Sequence, residues 1–200
     1  MTTDLTACER TARLHGLARG LADVLAGIEV SAAAPGAYAA VPAAALTAGA
    51  EVRRHRLADA EGIVFLRRDE NVAADPEARA QVGRRLAATR IGLARRQLDR
   101  ASQHLSGRTG GGEPLSRKQL VMGTVADAMT RIELLREYAT THDSPAALAD
   151  LHDQLDALDW EIASLFGASG YIADNETRAL YVSGLVANTW IDGEHNDDRI

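Results

Sequence analysis

The residues best suited to binding a ligand lie in the stretch SGRTGGGEPLSRKQ, residues 106–119, between two strongly patterned segments. Its three glycines, Gly110–Gly112, could let backbone N–H groups approach phosphate oxygens, or could simply let the chain reverse between two helices. A phosphate-binding P-loop requires a preceding strand and a Gly-Lys-Ser/Thr ending, and this stretch has neither. Taken alone, the residues therefore favour a turn between helices.

Other sequence patterns that carry chemistry are missing. The chain contains neither the G-x-S-x-G pattern of a nucleophile elbow nor the G-x-G-x-x-G pattern of a dinucleotide site. None of the six histidines pairs with another at the four-residue spacing of a helical zinc site, and the single cysteine is Cys8. We therefore predict no metal site and interpret the histidines as surface or tail residues.

Composition and charge narrow the class of protein. The chain of 200 residues has a formal net charge of −6 and only 4% aromatic residues. This acidic balance argues against nucleic-acid binding, and one cysteine excludes an intramolecular disulfide. Without a signal-peptide-like segment or an apolar run of about 18 residues, we expect a cytoplasmic protein with no membrane segment. Six arginines that crowd one helical segment are interpreted as a solvated helix face: Arg84, Arg85, Arg90, Arg95, Arg96 and Arg100.

Apolar residues recur at spacings of three and four, which is typical of amphipathic helices. The pattern predicts a helix within residues 4–28 and an up-down four-helix bundle over residues 76–191. Residues 29–74 instead contain prolines, glycines and two short β-like runs, Val52–Leu57 and Gly62–Leu66. The predicted fold class is mainly α, with an N-terminal helix, a small irregular β-containing insert and the bundle.

These elements suggest three regions along the chain. Residues 1–75 form the N-terminal helix and the reduced β-containing region, residues 76–191 the bundle, and residues 192–200 a polar tail.

Local signals mark the ends of the bundle helices. Asp75, followed by proline, is predicted to cap the first helix and Ser116 the second, and the segment Asp143-Ser144-Pro145 is predicted to start the third. The segment GASG, residues 167–170, is predicted to end the third helix, because glycine suits a left-handed cap. The last helix, residues 176–191, is apolar almost all round, which indicates burial in the bundle or at a subunit interface.

The spacing of Arg108, Gly112, Pro114-Leu115 and Gln119 resembles the C-terminal helical domain of the acyl-CoA dehydrogenases. In that family an arginine ends the first bundle helix, a Phe-Gly pair follows, and a glutamine stands eleven residues after the arginine. Here Gly111-Gly112 replaces the Phe-Gly pair. Three flanking segments are similar to the family in the same order: RIGLARRQLDRASQHLSGR, QLVMGTVADAMTRIELLREYA and SLFGASGY. The resemblance covers residues 80–191.

The resemblance implies a bundle that lies against FAD in an oligomer, in which the arginine and glutamine reach the ADP part of a flavin bound mainly by the neighbouring subunit. The residues at those positions are Arg108 and Gln119, with Gly112 and Gly167 as further candidates for cofactor contact. A guanidinium can pair with pyrophosphate oxygens. The alternative role for Arg108 is a cation that stabilises the C-terminal end of its helix dipole.

Two departures from the family pattern concern its chemistry. The flavin-binding Gln-x-x-Gly-Gly segment appears here as Ser164-Leu165-Phe166-Gly167-Ala168. The family's catalytic glutamate, which removes the α-proton of the acyl thioester, falls on Ile191 in an ungapped comparison. A one-residue shift would place Asp192 there, a shorter carboxylate that is a candidate base. The resemblance is therefore to a truncated, degenerate member of the family.

Three functions remain open on this sequence. The first is the small subunit of a heteromeric, flavin-dependent dehydrogenase acting on an acyl thioester, which supplies cofactor contacts while a full-length partner supplies the base. The second is a non-catalytic, homodimeric binding or scaffold protein that has lost FAD. The third is an autonomous, flavin-independent enzyme in the inherited cleft, with Asp192 or Glu194 as acid or base.

Overall fold

The computed structural model describes residues 4–168 and 177–191, and most of them are helical. The helices are α1 (Leu5–His15), α2 (Leu17–Val24), α3 (Val30–Ala33), α4 (Arg56–Ala60), α5 (Pro76–Ser106), α6 (Gln119–Thr141), α7 (Pro145–Ser164) and α8 (Arg178–Trp190). The strands are β1 (Tyr38–Pro42), β2 (Val52–Arg53), β3 (Ile63–Arg67), β4 (Thr109–Gly110) and β5 (Glu113–Pro114). The predicted fold class, mainly α with a small β-containing region, is confirmed.

Helices α5 to α8 form the predicted bundle, and α5 packs against the other three. The predicted cap at Asp75 is confirmed, because its carboxylate accepts from the backbone N–H groups of Glu77 and Ala78. The third helix starts where it was predicted to, and there the Ser144 hydroxyl accepts from the N–H of Ala147. The cap predicted at Ser116 is wrong. That residue lies in a short 3-10 turn, residues 115–117, and no side chain caps α6.

The N-terminal segment is two helices, not the single helix predicted within residues 4–28. Gly16, at φ 86°, separates α1 from α2, and α2 ends at Val24. The Arg96 guanidinium of α5 donates to the carbonyls of Arg13 and Leu14, and so caps the end of α1. Hydrophobic periodicity continues across Gly16, which is why the sequence pattern did not show the break.

The predicted insert is a three-stranded antiparallel sheet in the order β1-β3-β2. The second predicted run matches β3, whereas only the first two residues of the run Val52–Leu57 are strand and Arg56 already begins α4. Sequence analysis missed β1 in the alanine-rich segment. This strand is held against α8, because the N–H of Ala40 donates to the Thr189 hydroxyl and its carbonyl accepts from the Trp190 indole.

One hydrophobic cluster extends from α1 and α2 through the sheet to all four bundle helices. Most apolar residues of α8 are buried within the chain, and Val182, Val186 and Trp190 are completely so, while Tyr181 is exposed. Of the two interpretations of this helix, burial in the bundle is therefore the one observed. None of the described helices has the length and apolarity needed to cross a membrane.

Candidate functional site

One end of the bundle brings together residues that the resemblance marked for cofactor contact. The last turn of α5, the first turn of α6 and the end of α7 lie there. The rings of His104 on α5 and Phe166 just beyond α7 have centroids 5.4 Å apart. Arg108, Gln119 and Gly167 therefore belong to the same end of the molecule, although they are distant in sequence. We call this surface the α5–α6 end.

The glycine run forms the tip of a β-hairpin. Strands β4 and β5 pair in antiparallel register, with Gly110 opposite Glu113. Between them Gly111 and Gly112 have φ values of 65° and 85°, so the two residues of the turn both lie in the left-handed region that favours glycine. The turn predicted from the residues alone is present. Gly112 is exposed at the hairpin tip.

Arg108 provides an uncompensated cation at the α5–α6 end. Its side chain is exposed, and its Nη1 donates to Nε2 of His104 across 3.2 Å. No carboxylate of residues 4–168 or 177–191 forms an ion pair with this guanidinium. Because arginine can only donate, Nε2 of His104 must carry a lone pair in this arrangement. The positive charge thus faces solvent and is available to an anionic group.

Gln119 is the first residue of α6, and its side chain is exposed. The backbone there is the positive end of a 23-residue helix, and neither a capping side chain nor an acidic first-turn residue offsets it. The neighbouring Lys118 is already paired with Glu113 across 2.8 Å. The exposed amide, the helix end and Arg108 together favour a negatively charged ligand.

The remaining predicted site residues add no charged or donor side chain to the α5–α6 end. Gly167 is exposed, lies in the left-handed region at φ 59° and follows the buried Phe166, whereas α7 already ends at Ser164. Asp192, the candidate base, lies outside the described residues, as does Glu194. Across the described part of the chain, no three histidine, cysteine, aspartate or glutamate side chains converge as metal ligands would.

A second polar constellation lies inside the bundle, and sequence analysis missed it. The fully buried Arg90 of α5 donates to the Nδ1 and carbonyl oxygen of His152, and to the carboxylates of Asp156 and Asp159 on α7. Ser183 of α8 donates to Oδ2 of Asp159 across 3.0 Å. This network joins three of the four bundle helices.

Two predictions about single residues are corrected by this network. Arg90 is buried, as is Arg85, which donates to the carbonyls of Val24 and Ala26 at the end of α2. The arginines of α5 are therefore only partly a solvated face. His152 is also buried, contrary to its interpretation as a surface residue. The sequence feature that could have indicated the network is the spacing of His152, Asp156 and Asp159, which places all three on one face of a helix.

Burial governs the protonation of the network. Nε2 of His152 lies 3.1 Å from the carbonyl oxygen of Gly83 and its Nδ1 faces Arg90, so the neutral Nε2–H tautomer satisfies both contacts. Burial, reinforced by the charge of Arg90, lowers the pKa of His152 to about 3. Burial raises the pKa of Asp159 to about 6, although Arg90 opposes this shift.

These two shifts predict an altered pH dependence of stability in the Asp159→Asn variant. As pH falls below 6.5, unfolded His152 binds a proton that the folded form does not take up until about 3, so stability is lost. Between about pH 6 and 3.8 the folded state instead binds the extra proton at Asp159, so stability is gained. The free energy of unfolding, measured with urea over this window, should fall more steeply with decreasing pH in the variant than in wild type. The difference between the two slopes should correspond to one bound proton. Parallel curves would contradict these protonation states.

Comparison with known proteins identifies the helical framework. Residues 78–147, which cover α5, α6 and the start of α7, match the family model of the acyl-CoA dehydrogenase C-terminal domain. No curated protein sequence matches the chain. The resemblance drawn from the sequence is confirmed by the family model and by the solved structures of the same fold.

Three solved structures illustrate the similarity of fold. A variant of the Tcur3481-Tcur3483 steroid ACAD has a TM-score of 0.55 at 21% identity, over 72% of this chain and 45% of that one. A glutaryl-coenzyme A dehydrogenase in complex with glutaryl-CoA gives 0.53 at 18%, over 69% and 42%. The electron transferring flavoprotein of Acidaminococcus fermentans gives 0.54 at 18%, over 71% and 46%. The chain thus spans less than half the length of each of these structures.

Proposed function

We propose that this chain, which carries the helical C-terminal domain of the acyl-CoA dehydrogenases over residues 78–147, is a subunit of a heteromeric, flavin-dependent dehydrogenase of acyl thioesters. Its role in this proposal is to contact the cofactor, while the partner supplies the catalytic base. The observation that carries the proposal is the exposed, uncompensated guanidinium of Arg108 at the α5–α6 end, beside the uncapped start of α6.

The residues at this end fit the pyrophosphate part of FAD. A pyrophosphate is anionic, and the planar guanidinium of Arg108 has several N–H donors. No carboxylate in the described ranges forms an ion pair with it. The positive end of α6 and the exposed Gln119 amide add favourable electrostatics and a donor. FAD, when bound, supplies the acceptor for the hydride removed from the substrate.

A partner subunit is proposed because these groups face outward. Arg108, Gln119, Gly112 and Gly167 are all exposed, so a ligand that they contact needs a second surface to cover it. The chain spans 42–46% of the length of the similar solved structures described above.

The proposal predicts that Arg108→Ala weakens FAD retention by the complex of this chain with a full-length acyl-CoA dehydrogenase. Loss of a charge-assisted hydrogen bond to a phosphate should lower the affinity about tenfold or more. Arg10→Ala is the matched control, because Arg10 is also exposed and has no ion pair in the described ranges. Equilibrium dialysis of FAD against each complex measures the effect. Equal affinities for the two variants would remove Arg108 from the site.

A non-catalytic binding or scaffold role is the second candidate. It is favoured by the hairpin tip, where the left-handed conformations of Gly111 and Gly112 disfavour the aromatic residue that the family carries. In this case the chain would bind its partner without any change in flavin content, and Arg108→Ala would have no effect on that content.

A further inference from the structure

A cleft separate from the α5–α6 end lies where five helices meet. It opens between the end of α1, the start of α2, the end of α4, the middle of α5 and the start of α8. Its volume of about 330 Å³ falls at the lower end of the range of about 300–1,000 Å³ that is typical of small-molecule sites. We call it the α1–α8 cleft.

The side chains that line the α1–α8 cleft are mostly polar, and cations predominate among them. Arg96 and Arg100 lie one turn apart on α5, and Arg178 is the first residue of α8. His15, the last residue of α1, adds an exposed imidazole. Glu61 is the one acidic residue among the lining residues that the structure describes. Three guanidinium groups and one carboxylate give the cleft a positive potential.

Hydrogen bonds hold two of these guanidinium groups in place. Nε of Arg178 donates to Oε1 of Glu61 across 2.7 Å, so the carboxylate of the lining is already neutralised. Nη1 of Arg96 donates to the carbonyl oxygens of Arg13 and Leu14 across 3.0 and 2.8 Å. Within residues 4–168 and 177–191 Arg96 forms no ion pair, and its Nη2 and Nε donate to no group. A cation that is positioned before the ligand arrives loses little freedom on binding.

The start of α2 adds backbone donors to the same cleft. Gly16, which separates α1 from α2 at φ 86°, lines the cleft. In the described ranges no side chain caps α2, and its first turn contains no acidic residue. The positive end of this helix therefore lies beside the arginines, with N–H groups that an anion can accept.

From this arrangement we infer that the α1–α8 cleft binds the phosphate group of a small molecule. Planar guanidinium groups suit a phosphate, because their N–H donors can pair with two of its oxygens. The chain as a whole has a net charge of −6, so the cleft is a local positive site, which favours a small anion over a nucleic acid. The inference is independent of the proposed flavin site, since Arg100 precedes Arg108 by about 12 Å along α5 and none of the residues assigned to cofactor contact lines the cleft.

Isothermal titration calorimetry of the full chain with inorganic phosphate, at constant ionic strength, tests the inference. We expect saturable binding in wild type. Arg96→Gln should weaken it about tenfold or more, which is the loss typical of a charge-assisted hydrogen bond. Glu61→Gln should instead tighten it several-fold, because this change removes the carboxylate of the lining and releases Arg178 toward the ligand. Circular dichroism of each variant shows whether its helices are intact.

Arg95→Gln is the matched control. It removes the same charge at the neighbouring position of α5, but Arg95 pairs with Glu133 and does not line the cleft. This variant should bind phosphate like wild type, and so should Arg108→Ala, which alters the α5–α6 end. A wild type without saturable binding, or equal weakening by Arg95→Gln and Arg96→Gln, would overturn the inference. Loss of binding in Arg108→Ala alone would also overturn it, because the phosphate would then lie at the α5–α6 end.

Titration with glycerol 3-phosphate distinguishes two sources of the phosphate group. If this ester binds more tightly than inorganic phosphate, the ligand is a phosphorylated small molecule whose organic part occupies the rest of the cleft. If the two bind equally, the ligand is inorganic phosphate itself. Both results support a phosphate site in the α1–α8 cleft, whereas binding of neither ligand would contradict it.

Discussion

Replacing Arg90 by methionine is expected to lower the free energy of unfolding by about 3–5 kcal/mol, the cost typical of removing one partner from a buried ion pair. Methionine fills much of the same volume but cannot donate to the Asp159 carboxylate or to the carbonyl of His152. Asp159 is buried and would retain only the Ser183 hydroxyl as a donor. Urea unfolding followed by circular dichroism at neutral pH measures the loss.

The double variant Arg90→Met/Asp159→Asn separates charge from packing. Asparagine has nearly the same shape as aspartate and no charge, so the double variant should be clearly more stable than Arg90→Met alone. The Asp156 carboxylate can stay charged without Arg90, because its side chain is 51% exposed and water can solvate it. If both variants lost the same stability, the buried charge would not be the cause.

Replacing Gly92 by alanine is expected to cost about 3 kcal/mol by forcing α1 away from α5. A Cβ atom at this position would lie 2.1 Å from the carbonyl oxygen of Glu9, a backbone atom that cannot rotate aside. Since α1 packs along α5 and its residues Cys8 and Ala12 are completely buried, the displacement would open the core. Chemical unfolding and near-ultraviolet circular dichroism measure the effect.

Gly123→Ala provides the matched control for this prediction. Gly123 is also inside a long helix, but a Cβ there meets no atom within 4 Å. The variant should gain about 0.5–1 kcal/mol in the free energy of unfolding from helix propensity. Equal effects at the two glycines would mean that the close contact between α1 and α5 is absent.

The bundle helices could be predicted because their signals are local. Apolar spacing and the capping residues Asp75 and Ser144 place the first and third helices closely, and both caps are present. The strand β1 could not be predicted in this way, because alanine has little β-propensity. Its geometry depends on two hydrogen bonds of Ala40, whose N–H donates to the Thr189 hydroxyl and whose carbonyl accepts from the Trp190 indole, about 150 residues away in sequence.

The candidate site was only partly accessible from the sequence. The residues alone indicated a turn at Gly110–Gly112, and left-handed Gly111 and Gly112 form its tip. Arg108 and Gln119 were marked by resemblance to a family, and their cofactor roles stay predictions. The partners of Arg90 could not be read from α5 alone, because a buried cation and a solvated one have the same sequence signature until the facing helix is known.

The most direct test of the proposed function is the absorbance between about 350 and 500 nm of this chain, purified alone and together with a full-length acyl-CoA dehydrogenase encoded by a neighbouring gene. The proposed shared site predicts little flavin absorbance for the chain alone. It predicts stable co-purification, with flavin bound in the complex and partly lost from the Arg108→Ala complex. A full-length partner that carries its flavin and does not associate with this chain would contradict the proposed function.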